Sequence, residues 1–262
     1  YWSSNTCQNR GGTPMIIYIP GDSAALSVGA DEVAAAIALL APTATIVRNG
    51  SRGALWLETL VEIQTPYGRI AYGPVTPEDV ASLFDADFLN GGQHRLALGK
   101  TDQIKWLANQ DRVTFARVGI IDPLSLNDYR AHGGLLGLMK ALELSSEELI
   151  SEVTESGLRG RGGAAFPAGI KWRTAAQATS DQKYICCNAD EGDSGTFADR
   201  MLIEGDPFTL IEGMTIAGIS VGANQGIIYL RSEYPYAITM LQKAIDIARA
   251  DSWLGKSVLG SA

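Results

Sequence analysis

Apolar and polar positions along this chain fall into short, well-bounded blocks. Ile16-Ile17-Tyr18-Ile19 reads as a strand. Asp31-Glu32 leads the Ala-rich apolar run Val33–Leu40, which predicts a helix whose first-turn acids complement its dipole and which Pro42 ends. Thr45-Ile46-Val47 predicts a strand, and Arg48–Gly53 a loop. Leu60–Gln64 and Arg69–Tyr72 flank Pro66-Tyr67-Gly68 as a hairpin. Thr76-Pro77-Glu78-Asp79 opens a helix through Phe84, with Thr at the cap and Pro in the first turn. Beyond Gly91-Gly92 the pattern weakens: Val113–Arg117 reads as a strand and Leu135–Leu142 as a short helix. Ser145-Ser146-Glu147-Glu148 then caps a further helix.

The final stretch alternates cleanly. A Gly-rich loop over 157–169 precedes a helix near Lys171–Gln177. A strand at Tyr184–Asn188, a helix at Pro207–Ile219, a strand at Gly226–Leu230 and a helix at Tyr236–Arg249 follow. Strands separated by helices predict a parallel sheet covered on both faces, with adjacent Cys186 and Cys187 as buried structural thiols. The division is an extension over 1–14 (Met15 reading as the natural start), a small α/β unit over 15–92, a connector over 93–144 and an α/β domain over 145–262.

Composition narrows the chemistry. The chain has 262 residues, enough for one or two domains, and at 46% hydrophobic and 19% charged it is globular material. Twenty-one basic against 29 acidic residues give a net charge of −8, so the chain as a whole is a poor nucleic-acid binder. Three Cys (Cys7, Cys186, Cys187) can form neither a disulfide framework nor a four-cysteine cluster site. Two His, His94 and His132, read as surface or turn residues rather than a metal site or triad. No stretch approaches the ~20 apolar residues of a membrane span and no signal peptide opens the chain, so the expected compartment is the reducing cytoplasm.

Two loops carry candidate chemistry. In Gly157-Leu-Arg159-Gly160-Arg161-Gly162-Gly163, glycines let amides approach an anion, a helix follows, and the arginines can pair phosphate oxygens. The loop is neither GxGxxG nor a P-loop, and alone it reads more readily as a solvated turn than as a phosphate cradle. Asn188-Ala-Asp190-Glu191-Gly-Asp193 lies at the carboxyl end of a strand, where open α/β sheets bind ligands; alone it is an ordinary acidic turn. Lys171 can reach a phosphate or ring edge, and Phe166 is a stacking platform or a core residue.

The run Ser156–Trp172 followed by Cys187-Asn-Ala-Asp-Glu191 resembles the flavin-bearing, NAD(H)-oxidising subunits of respiratory NADH dehydrogenase, NAD-reducing hydrogenases and NAD-dependent formate dehydrogenases. The likeness continues through Phe197–Arg200, Ile211–Met214 and Tyr229–Tyr234, and covers roughly residues 112–258. Glu191-Gly-Asp-Ser-Gly195 is most similar to the beta subunit of molybdenum-dependent formate dehydrogenase. Gly119–Pro123, Tyr129 and Gly133-Gly134 look like the connector of such fused subunits, and the loop over 48–53 leading to Leu60–Ile63 is similar to a thioredoxin-like ferredoxin domain. Ser51 and Leu55 stand where iron-bearing relatives carry cysteines, so this domain is expected to hold no two-iron cluster and to serve docking or packing.

The resemblance implies a degenerate thioredoxin-like domain followed by an incomplete Rossmann-like flavin/NAD-binding domain with a parallel sheet. It implies an FMN site at Gly160, Arg161, Gly162, Lys171, Asn188, Asp190 and Glu191, with Phe166 and Asp193 on NAD. No catalytic acid or base and no metal ligand is implied. Ala165 and Ala168 replace a usual Gly and Thr. The family's later segments, including one that holds a 4Fe-4S cluster, fall beyond Ala262, so weak flavin binding is expected of this stretch alone. The implied activity is a diaphorase passing electrons between NAD(H) and iron–sulfur centres through FMN, in a formate dehydrogenase with a molybdenum-containing alpha subunit and a small iron–sulfur gamma subunit. The alternatives are a respiratory or hydrogenase flavin subunit, or a non-catalytic docking scaffold.

Overall fold

The structure is a computed structural model and describes residues 15–260; the expected extension over 1–14, with Cys7, lies outside the described residues. The described residues divide into two compact units, 15–125 together with 204–206, and 126–203 together with 207–260.

The first unit is built on β1 (Ile16–Tyr18), β2 (Thr45–Val47), β3 (Val61–Thr65), β4 (Gly68–Tyr72) and β5 (Ala97–Lys100), in the order β2-β1-β3-β4-β5. β1 and β2 are parallel, joined through α1 (Ser23–Leu26) and α2 (Ala30–Leu40); β3, β4 and β5 run antiparallel to their neighbours. α3 (Val80–Asp85) follows β4. A parallel βαβ half joined to an antiparallel ββα half is thioredoxin-like topology, as expected. α2 starts with Asp31 and Glu32 in its first turn, and the turn before α3 carries a full capping box between Thr76 and Asp79. Ile17, Ile19, Val33, Ile37, Val61, Ile63, Leu83 and Phe88 close the core. β5 falls within the expected connector, as does α4 (Lys105–Ala108). Residues 113–117, expected as a strand, are turns: Ala116 N–H donates to the Val113 carbonyl and Val118 N–H to that of Phe115. Local hydrogen bonds outweigh β propensity where no neighbouring edge is offered.

The second unit comprises α5 (Leu126–Ala131), α6 (Leu136–Leu142), α7 (Ser146–Glu155), α8 (Ala168–Gln177), β6 (Tyr184–Ala189), α9 (Ala198–Gly205, its last two residues counted with the first unit), α10 (Pro207–Val221), β7 (Gln225–Leu230) and α11 (Pro235–Ala250). Ser145 caps α7 in a capping box with Glu148. Buried Glu212 on α10 accepts the Leu135 and Leu138 amides at 2.9 Å each, satisfying the start of α6. Tyr129, Phe208 and Trp253 pack with ring centroids 5.5–6.2 Å apart.

β6 and β7 pair in parallel, Tyr184 opposite Gln225 through Ala189 opposite Leu230. The expectation of coverage on both faces does not hold. Ala189, Cys187, Ile228 and Leu230 pack against Ile203, Ala237 and Leu241. On the opposite face Tyr184, Ile227 and Tyr229 are 53%, 50% and 63% exposed, and Cys186 is exposed. Side chains alternate across a strand, so adjacent cysteines part: only Cys187 is half-buried, and the reading of both as buried thiols is corrected. Burial, with Asp199 nearby, pushes the Cys187 thiol up, away from the reactive thiolate.

Candidate functional site

The glycine-rich loop closes on itself between α7 and α8. Gly160 N–H donates to the Phe166 carbonyl at 2.9 Å, Ala168 N–H to that of Leu158 at 2.8 Å, and Arg159 Nη1 to that of Ala165 at 3.1 Å. The loop therefore has a defined shape although its residues from Gly157 to Phe166 are exposed. Ser156 to Arg161 and Ala165 line a cavity of about 440 Å³. Among the described residues, the backbone N–H groups of residues 161–166 make no hydrogen bond to the protein. A Cβ added at Gly162 or Gly163 would meet nothing within 4 Å, so the chain's own packing does not require glycine at Gly162, whereas Gly163 needs it for its φ of +96°. A run of free amides beside open space and the Arg161 guanidinium, which has no partner among the described residues, has the donor chemistry of an oxyanion cradle.

The acidic turn is built differently. Asn188 Oδ1 accepts the Asp190 amide at 3.1 Å, turning the chain at the end of β6. Glu191, at φ +44°, carries a carboxylate that accepts the Asp199 and Arg200 amides at 2.7 and 3.2 Å and the Tyr234 hydroxyl at 3.1 Å. It thus satisfies the first amides of α9. Its carbonyl accepts Arg231 Nη1 at 2.8 Å, tying the turn after β6 to the turn after β7. Arg231 pairs with Glu233 and holds that carboxyl down at about 2, while its guanidinium lies 5.1 Å from the Tyr234 ring centroid. Arg200 faces the same ring at 5.5 Å. Burial and the neighbouring Glu191 push the Asp199 carboxyl up.

The predicted site residues therefore separate into groups. Gly160 and Arg161 line the loop cavity; Gly162 sits on the same loop, and Phe166, 52% exposed, at its end. Lys171 stands exposed in the first turn of α8. Asn188, Asp190, Glu191 and Asp193 belong to the acidic turn, and none of them lines the cavity. Arg231 and Tyr234, not among the predicted site residues, organise that turn; their position just past the second parallel strand was the signal available in the sequence.

Residues 153–258 match the family described as the Nuo51 FMN-binding domain. HndC, part of an NADP-reducing hydrogenase of Solidesulfovibrio fructosivorans, is 50% identical over 152 residues, which is 58% of this chain and 31% of that protein. A component of the NADH-quinone oxidoreductase of Rhizobium meliloti is 45% identical over 150 residues, 57% of this chain and 36% of that protein. A solved NAD+-reducing [NiFe]-hydrogenase chain is similar at 23% identity with a TM-score of 0.43, covering 91% of this chain and 42% of that chain. The matched stretch spans about a third of the length of these curated relatives. Over residues 153–258 the chain is thus similar to the Nuo51 FMN-binding domain, and its relatives include components of an NADP-reducing hydrogenase and of an NADH-quinone oxidoreductase.

Proposed function

We propose that this chain is part of a diaphorase subunit that binds FMN and NAD(H) and passes electrons between NAD(H) and iron–sulfur centres of partner subunits. The free amides of residues 161–166, beside Arg161 and the open space at Gly162 and Gly163, carry this reading, because they fit the phosphate of a mononucleotide. Gly160, Arg161, Gly162 and Lys171 hold FMN from the first loop, and Asn188 and Asp190 from the second. Glu191, committed to α9 and Tyr234, acts by holding that second turn in shape. Exposed Phe166 offers a ring to the nicotinamide nucleotide, with Asp193 beside it. Bound flavin supplies the exchange between two-electron hydride transfer and one-electron transfer; the protein supplies binding, orientation and charge.

The acidic turn Glu191-Gly-Asp-Ser-Gly195 favours a molybdenum-dependent formate dehydrogenase, with a molybdenum alpha subunit and a small iron–sulfur gamma subunit in the cytoplasm, as the assembly served. In the full-length subunit Arg161→Ala is expected to weaken FMN retention about tenfold or more, read by flavin absorbance after dialysis. Full retention would remove the loop from the site. Formate-dependent NAD reduction by the assembled complex tests the donor; reduction with hydrogen instead would place the subunit with the hydrogenases.

A further inference from the structure

The first unit contains a concentration of positive charge at odds with the chain's net charge of −8. Arg52, Arg69 and Arg112 converge on a second cavity of about 320 Å³, which Thr101, Leu107 and Ile120 help to line. One buried carboxylate faces them. Glu62 takes Arg52 Nε at 2.6 Å and Nη2 at 2.8 Å, and Arg69 Nη1 at 3.3 Å. Arg69 directs its remaining donors to the Gly119 and Ile120 carbonyls at 2.9 and 2.6 Å and lies over the Tyr18 ring. Arg112 is different: it is half-buried, and among the described residues it makes no hydrogen bond or ion pair. Burial and the facing Arg52 lower its affinity for its proton, which Glu62 only partly offsets.

Three guanidinium groups against Glu62 leave two positive charges in excess, and Asp102, the acid that lines the cavity, is exposed and screened by solvent. The donors left over are the whole Arg112 fork and Arg52 Nη1. A planar fork with no hydrogen-bond partner among the described residues, held beside a second cation, is chemistry suited to a dianionic tetrahedral oxyanion. We propose that Arg112 and Arg52 form a binding site for a phosphate group in the thioredoxin-like unit, separate from the glycine-rich loop of residues 156–166.

Isothermal titration of the protein with inorganic phosphate at low ionic strength tests this. Arg161→Ala is used as the parent to weaken phosphate binding on the glycine-rich loop, and the part of the binding that depends on Arg112 is what counts. The parent should bind phosphate saturably, and adding Arg112→Gln should weaken that binding about tenfold or more, with the thermal midpoint unchanged or raised because burial and Arg52 outweigh Glu62 at Arg112 and no hydrogen bond among the described residues is lost. Absence of saturable binding in the parent would overturn the proposal. So would equal affinity in the double variant, or equal displacement by chloride at matched ionic strength.

Discussion

Ala165 stands at φ +50° in the glycine-rich loop, in the left-handed region that a Cβ disfavours. The resemblance to flavin-bearing subunits places glycine there, and the structure gives the reason: its carbonyl must turn to accept Arg159 Nη1 while the next residue closes on Gly160. Ala165→Gly is expected to raise stability by about 0.5–1 kcal/mol, read as a shift in the denaturant midpoint. A loss would mean that the turn is relaxed with alanine. Glu191 carries the same backbone signature at φ +44°, and there the carboxylate's bonds to α9 and Tyr234 offset its cost. The residue types of both loops were legible in the chain. That Glu191 is consumed by a helix start, and that Arg231 reaches its carbonyl 40 residues back, were not, since neither leaves a local pattern.

At the scale of elements, α7 and α8 meet at Gly169. A Cβ there would lie 2.2 Å from Thr154 Oγ1 and 2.7 Å from Thr154 Cα, and the hydroxyl is held by the Ile150 carbonyl at 2.6 Å. Helix propensity alone predicts that Gly169→Ala stabilises by up to about 1 kcal/mol. Packing predicts the opposite sign, a loss of about 1–3 kcal/mol, because backbone cannot move aside as a side chain can. Chemical unfolding distinguishes the two. This contact holds the glycine-rich loop between two helices, so the same variant is expected to loosen the loop. The capping signals at Thr76 and Ser145, the hairpin of β3 and β4, and the β6–β7 alternation were all readable from local chemistry and spacing. α9 escaped notice because its start is capped by a residue seven positions upstream.

At the scale of the whole molecule, the first unit couples its stability to pH through Glu58. Burial pushes this carboxyl up to about 7, with Asp22 and Glu62 adding to the rise and a hydrogen bond from the Leu60 amide opposing it. A raised folded value means that the folded state holds the proton more tightly. The stabilisation is complete below the ordinary value of 4.5 and is lost as pH rises through about 7. Thermal unfolding should therefore show a midpoint that declines from pH 5 toward pH 8, and Glu58→Gln, which keeps the acceptor for Leu60, should flatten that decline. An unchanged slope in the variant would assign the pH dependence to other groups.

Sequence by itself determined the capped helices, the β3–β4 hairpin, the parallel β6–β7 pair and the residue types of two loops, because capping, alternation and glycine placement act over a few residues. Tertiary structure alone decided which carboxylates are committed to structure, which sheet face lies open and where three arginines gather around Glu62. Those outcomes depend on contacts between distant positions, and such contacts exist only once burial has brought the elements together.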